Sequence, residues 1–175
     1  MLTGTEILSY CETRLGRNLD SDLALMAINE AIAEIGDMGL LYDTVDVEVT
    51  DTDDVYNMPD DWTVINKVIL HKDKEYLFQN YTFKAGQIRF FEEGNFTIIA
   101  RKMPDDIEIL SEPITAVHPL YHNAIKFYTL AWMKENDDFE DQTAHMLYEK
   151  FERGVSRAAK TLSRSKVPSK VRVIR

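Results

Sequence analysis

Two changes of hydrophobic period constrain this chain more than any other feature of its sequence. Up to about residue 36 the apolar side chains recur every three or four positions. After Tyr42 they alternate with polar ones, and from Pro119 the helical spacing returns. The first spacing buries one stripe of a helix and the second buries one face of a strand. The chain therefore reads as α+β: a helical bundle of about four helices, at about 3–36 and 119–163, with an inserted antiparallel β-meander at about 43–103.

Local signals mark the helix ends. Thr3 and Glu6 have capping-box spacing, in which each side chain satisfies the other residue's backbone N–H. Ile7, Leu8, Cys11 and Leu15 follow at helical intervals, and Gly16 ends the run. A second helix starts at Asp20 or Ser21 and carries Leu23, Met26, Ala27, Ala31, Ile32 and Ile35 on one face. Gly36 then reads as a left-handed cap, and the short Gly16-Arg17-Asn18 connection makes the pair an antiparallel hairpin. Residues 104–119 form a connector, with Pro119 suited to the first turn of a third helix that reaches about Lys134. Asn136-Asp137-Asp138 breaks that helix, and Asp138 is placed to cap a long fourth one. Phe139, Thr143, Leu147, Phe151, Val155, Ala158 and Leu162 form its apolar stripe. Glu140 and Asp141 at its start, with Arg157, Lys160 and Arg164 at its end, suit the helix dipole.

In the middle region Val45, Val47 and Val49 alternate with Asp46 and Glu48, as in a strand with one wet face. Residues 64–70 are a largely apolar, β-branched run, and 75–83 read as another strand. Residues 87–91 and 96–101 flank Glu92-Glu93-Gly94-Asn95, the clearest hairpin pattern present. Lys84-Ala85-Gly86 supplies the turn before it. A meander of four or five strands is expected.

With 175 residues and 45% apolar side chains, one domain buries roughly 70% of its unfolded surface and needs no covalent staple. A single domain over 1–164 is expected, followed by an extended basic C-terminal arm at 165–175. One cysteine, Cys11, excludes an internal disulfide framework. The first residues lack the basic flank and apolar run of a signal peptide. No stretch approaches the roughly eighteen apolar residues of a membrane span. The reading is a soluble protein made inside the cell, without contact to a membrane.

The net charge of −10 is unevenly spread. Residues 151–175 hold eight bases (Arg153, Arg157, Lys160, Arg164, Lys166, Lys170, Arg172 and Arg175) against Glu152 alone, so residues 1–150 hold 12 bases and 29 acids. Such a split marks interaction surfaces more than fold. The acidic body argues against broad coating of nucleic acid, whereas the basic end suits DNA or an acidic protein surface. Lys170-Val171-Arg172-Val173 alternates as a strand does, yet so short a basic strip cannot offset ~1–2 kcal/mol per residue of backbone ordering by itself.

Little of the sequence points to catalysis. His118 and His122 share metal-ligand spacing, but Pro119 replaces the glutamate that follows the first histidine of zinc proteases, and no third ligand is signalled. Asp51-Thr52-Asp53-Asp54 resembles a calcium loop until Val55 and Tyr56 occupy positions that need an oxygen ligand and glycine. Asp60, Asp61, Asp105 and Asp106 follow prolines and read as turn residues. Cys11 lies on an apolar helix side, so it packs as a small hydrophobe. There is no glycine-rich phosphate loop and no nucleophile elbow. No catalytic residue, metal ligand or cofactor is assigned.

The order of elements carries a resemblance. Two N-terminal helices, a β insertion opening near Tyr56-Asn57-Met58-Pro59-Asp60-Asp61-Trp62, a Pro-led helix, a long helix and a basic tail look like a head-to-tail adaptor (connector) of tailed bacteriophages. The tail-tubular adaptors of short-tailed phages are included. The likeness covers residues 2–164 and is greatest at His118-Pro119-Leu120-Tyr121-His122-Asn123-Ala124-Ile125-Lys126-Phe127-Tyr128, at Asn136-Asp137-Asp138 and at 148–151. It implies a neck protein of the virion, made in the host bacterial cytoplasm. Self-association in a ring of about twelve copies would dock under the portal protein and seat a tail or nozzle protein. Double-stranded DNA would pass through the lumen without specific contact during retention and ejection. The portal-binding arm would fall to Lys166, Val167, Lys170, Val171, Arg172, Val173, Ile174 and Arg175. Acidic lumen walls would repel phosphate, so that DNA slides. Two rival readings are a metal-assisted hydrolase built on His118, His122 and nearby carboxylates, and a nucleic-acid-binding regulator using the basic end.

Overall fold

The computed structural model describes residues 2–38, 40–72, 75–137 and 142–165. In chain order its elements are α1 (Gly4–Leu15), α2 (Ser21–Asp37), β1 (Tyr42–Val49), β2 (Tyr56–Asn57), β3 (Trp62–His71), β4 (Glu75–Phe78), β5 (Tyr81–Lys84), β6 (Gln87–Phe90), β7 (Gly94–Lys102), a 3-10 turn (Pro119–Tyr121), α3 (His122–Asp137) and α4 (Gln142–Ser165). The class is α+β. The chain divides into two compact units, one of residues 36–104 and the other of residues 1–35 with those from 105 onward. Among the described residues no helix is long and apolar enough to cross a membrane.

In the helical unit, α1 starts as its sequence dictates. Thr3 N–H donates to Glu6 Oε2 at 2.9 Å while Glu6 N–H donates to Thr3 Oγ1 at 3.2 Å, a complete capping box. Gly16 ends the helix in the left-handed region, φ 69°. The Asp20 carboxylate accepts from the N–H groups of Asp22 and Leu23 and so caps α2. The buried face of α2 is Ala24, Ala27, Ile28, Ala31, Ile32 and Ile35. Leu23 and Met26, expected on that face, are instead 44% and 54% exposed. The small Ala24 and Ala27 share a buried cluster with Met133 of α3, with Leu8, Leu15, Leu19 and Trp132 around them.

The connector is tied down by backbone bonds. Asn29 holds Ile107 from both sides, its Nδ2 donating to the carbonyl at 3.1 Å and its Oδ1 accepting from the N–H at 3.0 Å. Thr5 N–H reaches Leu110 O at 2.8 Å and Ile114 N–H reaches Leu2 O at 2.9 Å. These bonds account for polar groups that an irregular segment would otherwise leave unpaired. The third helix opens with the 3-10 turn, tighter than the α-helix expected from Pro119. Along α4 the buried stripe is Ala144, Leu147, Phe151, Val155 and Ala158; Thr143 is exposed and Ala144 takes its place. Phe139, the Asp138 cap, Glu140 and Asp141 lie outside the described residues.

The β region departs most from expectation. A single meander inserted within a helical bundle is not what forms. The strands make two antiparallel sheets, a four-stranded one ordered β1-β7-β3-β4 and a three-stranded one ordered β2-β6-β5. They share a core of their own that includes Trp62, Val68, Phe78, Ile88, Phe90, Phe96 and Ile98. Phe90 stacks on Phe96 with ring centroids 4.3 Å apart, and Phe78 lies 4.9 Å from Phe96. This aromatic cluster gives the strands enough apolar area to close on themselves. The expected strand at 75–83 breaks at Gln79-Asn80, so that β4 joins one sheet and β5 the other. The segment 92–95 is not a hairpin: β6 pairs with β5 and β2, whereas β7 runs between β1 and β3. Phe96, Ile98 and Ala100 of β7 are fully buried, and such a strand needs neighbours on both edges. The Lys84-Ala85-Gly86 turn does form, with φ 52° at Ala85 and 75° at Gly86, the pair of left-handed residues that a tight two-residue hairpin uses.

Gly36 is not a left-handed cap. Helix α2 runs through it to Asp37, and a Cβ there would sit 2.5 Å from Pro104 Cδ. Glycine is present because the backbone and a proline ring approach closely.

An extended arm is likewise not found among the described residues, which end as helix at Ser165, inside the range assigned to the arm. Lys166, Val167, Lys170, Val171, Arg172, Val173, Ile174 and Arg175 lie outside the described residues.

Candidate functional site

The chemistry-bearing residues singled out in the sequence are mostly occupied by local structure. His118 is the extended residue before the 3-10 turn, φ −62° and ψ 141°, and its Nδ1 accepts from Leu120 N–H at 3.2 Å. His122 is buried, with Nε2 3.2 Å from the Ile114 carbonyl. Burial lowers its pKa, a tendency opposed by that carbonyl. The two imidazoles thus serve different partners. Asp51 Oδ1 accepts from Asp53 N–H at 2.8 Å, and Asp53 pairs with Arg89 at 2.5 Å. Asp61 pairs with Lys102 at 3.0 Å, and its carbonyl accepts from Met103 N–H. Cys11 is fully buried, and burial, reinforced by Glu12, raises its pKa to about 12, which keeps the thiol protonated and inert.

Strand register creates one constellation that the sequence did not announce. Asp46 of β1 and Ile69 of β3 both stand opposite Thr97 of β7. The Thr97 hydroxyl donates to Asp46 Oδ1 at 2.5 Å, and His71 Nε2 lies 2.8 Å from the same hydroxyl oxygen. With its single proton on Asp46, Thr97 accepts from a His71 protonated at Nε2. The order is carboxylate, hydroxyl, imidazole. In a nucleophilic triad the imidazole stands between the other two, so this row acts as a polar ladder across three strands.

On the helical unit, Tyr148 donates to Glu135 Oε2 at 2.7 Å and packs edge-on to Tyr128, centroids 5.2 Å apart. Burial raises both phenol pKa values, that of Tyr128 to about 12, with Glu30, Glu34 and Glu135 adding to the effect there. These are structural phenols.

A groove of about 380 Å³ lies between α3 and α4 of this unit. Its apolar wall is Leu120, Ala124 and Phe127, and across it stand Lys150, Arg153 and Arg157. Lys150 Nζ lies 5.9 Å from the Phe127 ring centre, at cation–π range. Arg153 holds Glu149 one turn earlier at 2.7 Å. Lys150, Arg153, Arg157 and Lys160 recur at intervals of three and four and form a ridge along α4. Only the later part of this ridge stood out in the sequence, as a helix-end cluster; the groove beside it depends on how α3 lies against α4. No protein-family model matches the chain, and no curated protein matches its sequence significantly.

Proposed function

We propose that this chain is a virion structural protein, a head-to-tail adaptor forming the ring that joins the capsid portal to the tail and extends the DNA channel. The observation that carries the reading is the separation of charge. The bases of α4 are followed in sequence by the basic residues 166–175, while residues 1–150 hold 29 acids and 12 bases. Repeated around a ring, an acidic wall repels phosphate, and duplex DNA slides through. Many weak basic attachments to one portal then sum to a firm joint. The reading is non-enzymatic and uses no cofactor. Its partners are the portal protein, a tail or nozzle protein, further copies of the chain and DNA in passage. Its place is the neck of the virion.

Electron microscopy of the protein mixed with the portal protein encoded near it tests this. A ring stacked on the portal's axis is expected, and two folded proteins that form no complex refute portal docking. The basic ridge also favours a second reading, a nucleic-acid-binding regulator. That reading requires duplex affinity with a steep salt slope, lost when the bases of α4 and the chain end are neutralised.

A further inference from the structure

We infer that the α3–α4 groove of one copy seats the outer face of α2 of a second copy, so that the chain associates head to tail through two unlike surfaces. The inference deepens the ring reading above and rests on it for closure of the assembly; the contact itself is argued from the two surfaces. On α2, Leu23 and Met26 are 44% and 54% exposed, and the exposed Glu30 and Glu34 follow them at helical intervals. The outer stripe is therefore apolar at its start and acidic beyond. On the groove, Leu120 is 45% exposed and lies beside the half-buried Phe127, with the bases Lys150, Arg153 and Arg157 opposite. Apolar side chains rimmed by charge are the composition that a protein-binding surface uses. The two patches match in kind, leucine and methionine against leucine and phenylalanine, two carboxylates against three bases. Rim charges of this sort fix register and reject wrong partners. A contact between unlike surfaces of identical chains leaves one of each open at the ends, and it propagates until a ring closes.

Paired charge reversals test the contact in the full chain. One variant carries Lys150→Glu with Arg157→Glu, the other Glu30→Lys with Glu34→Lys. By sedimentation velocity the parent self-associates, and each variant alone is weakened at least about tenfold. Their equal mixture recovers, because every junction in it is either parental or the same pair of charges exchanged. Circular dichroism verifies that the helices persist. As a second measurement, Met26→Cys and Leu120→Cys chains, mixed and oxidised, cross-link to each other in preference to themselves. A parent that remains monomeric at the highest soluble concentration, variants that assemble like the parent, or a mixture that does not recover overturns the contact. Portal docking is read separately. A parental assembly that binds no portal removes the adaptor reading and leaves this contact standing. Portal-bound rings formed equally well by each variant alone remove the contact and leave the adaptor reading.

Discussion

Replacing Gly36 by alanine is expected to destabilise the sheet unit by about 1–2 kcal/mol, the difference between a steric cost and a helix-propensity gain. A Cβ on Gly36 meets Pro104 Cδ at 2.5 Å and Cγ at 3.2 Å, whereas carbon atoms ordinarily rest ~3.5–4.0 Å apart. The obstacle is a closed ring and not the free end of a long side chain, so the backbone of 36 or 104 must shift. Overpacking costs about 1–3 kcal/mol, and a rigid partner puts this case in the upper part of that range. Alanine in place of glycine in a helix returns about 0.8–1 kcal/mol. In urea the net loss lowers the midpoint by about 1 M. The two tryptophans divide the assay: Trp62 lies in the sheet unit and Trp132 in the helical unit, so a Trp132→Phe background reports the sheet unit alone. Gly36→Asn sharpens the test. If Gly36 were a left-handed cap, asparagine would be the better replacement. With Pro104 as the cause, asparagine is the worse one. A stabilising alanine, or an asparagine that outranks it, refutes the close-approach argument.

Ala85→Asn or Ala85→Gly is expected to raise the sheet unit's urea midpoint, since a left-handed alanine, here φ 52°, costs roughly 1–2 kcal/mol; an unchanged midpoint tells against the turn geometry. On the alkaline side, the raised pKa values of Cys11 and Tyr128, both about 12, and the raised value of Tyr148 favour their neutral forms in the fold. Their stabilisation is whole below the unfolded values of 9.0 and 10.0 and is lost as pH rises toward 12. Trp132 fluorescence in urea should therefore show the helical unit weakening above pH 9, and Cys11 should react with a thiol reagent only once that unit opens. Deleting residues 165–175 is expected to leave the helical circular dichroism unchanged and to abolish portal binding in a pull-down, and normal binding by the shortened chain counts against a basic attachment.

What the sequence made legible was whatever is decided within a few residues. Thr3, Glu6 and Gly16 form a cap and a stop because their partners are one turn away, and Asp20 caps α2 for the same reason. The strand at Val45, Val47 and Val49 was legible too, because alternation shows which face is wet. Alternation does not show which strand lies alongside. Glu92-Glu93-Gly94-Asn95 has the composition of a hairpin turn, yet β7 pairs with β1 and β3. The burial of Phe96, Ile98 and Ala100 on a central strand outweighs the local preference for pairing with β6. The same limit hid the Asp46–Thr97–His71 row, whose members are 51 and 26 residues apart and meet only through register. On α2, counting apolar residues could not separate Leu23 and Met26 from the true core face, because both sets recur at helical spacing while the side chains buried include the small Ala24, Ala27 and Ala31. Once turned outward, a leucine and a methionine in line with two glutamates form a surface whose apolar start gains from being covered, which is why the face of α2 and not the interior of either unit is where association should be sought.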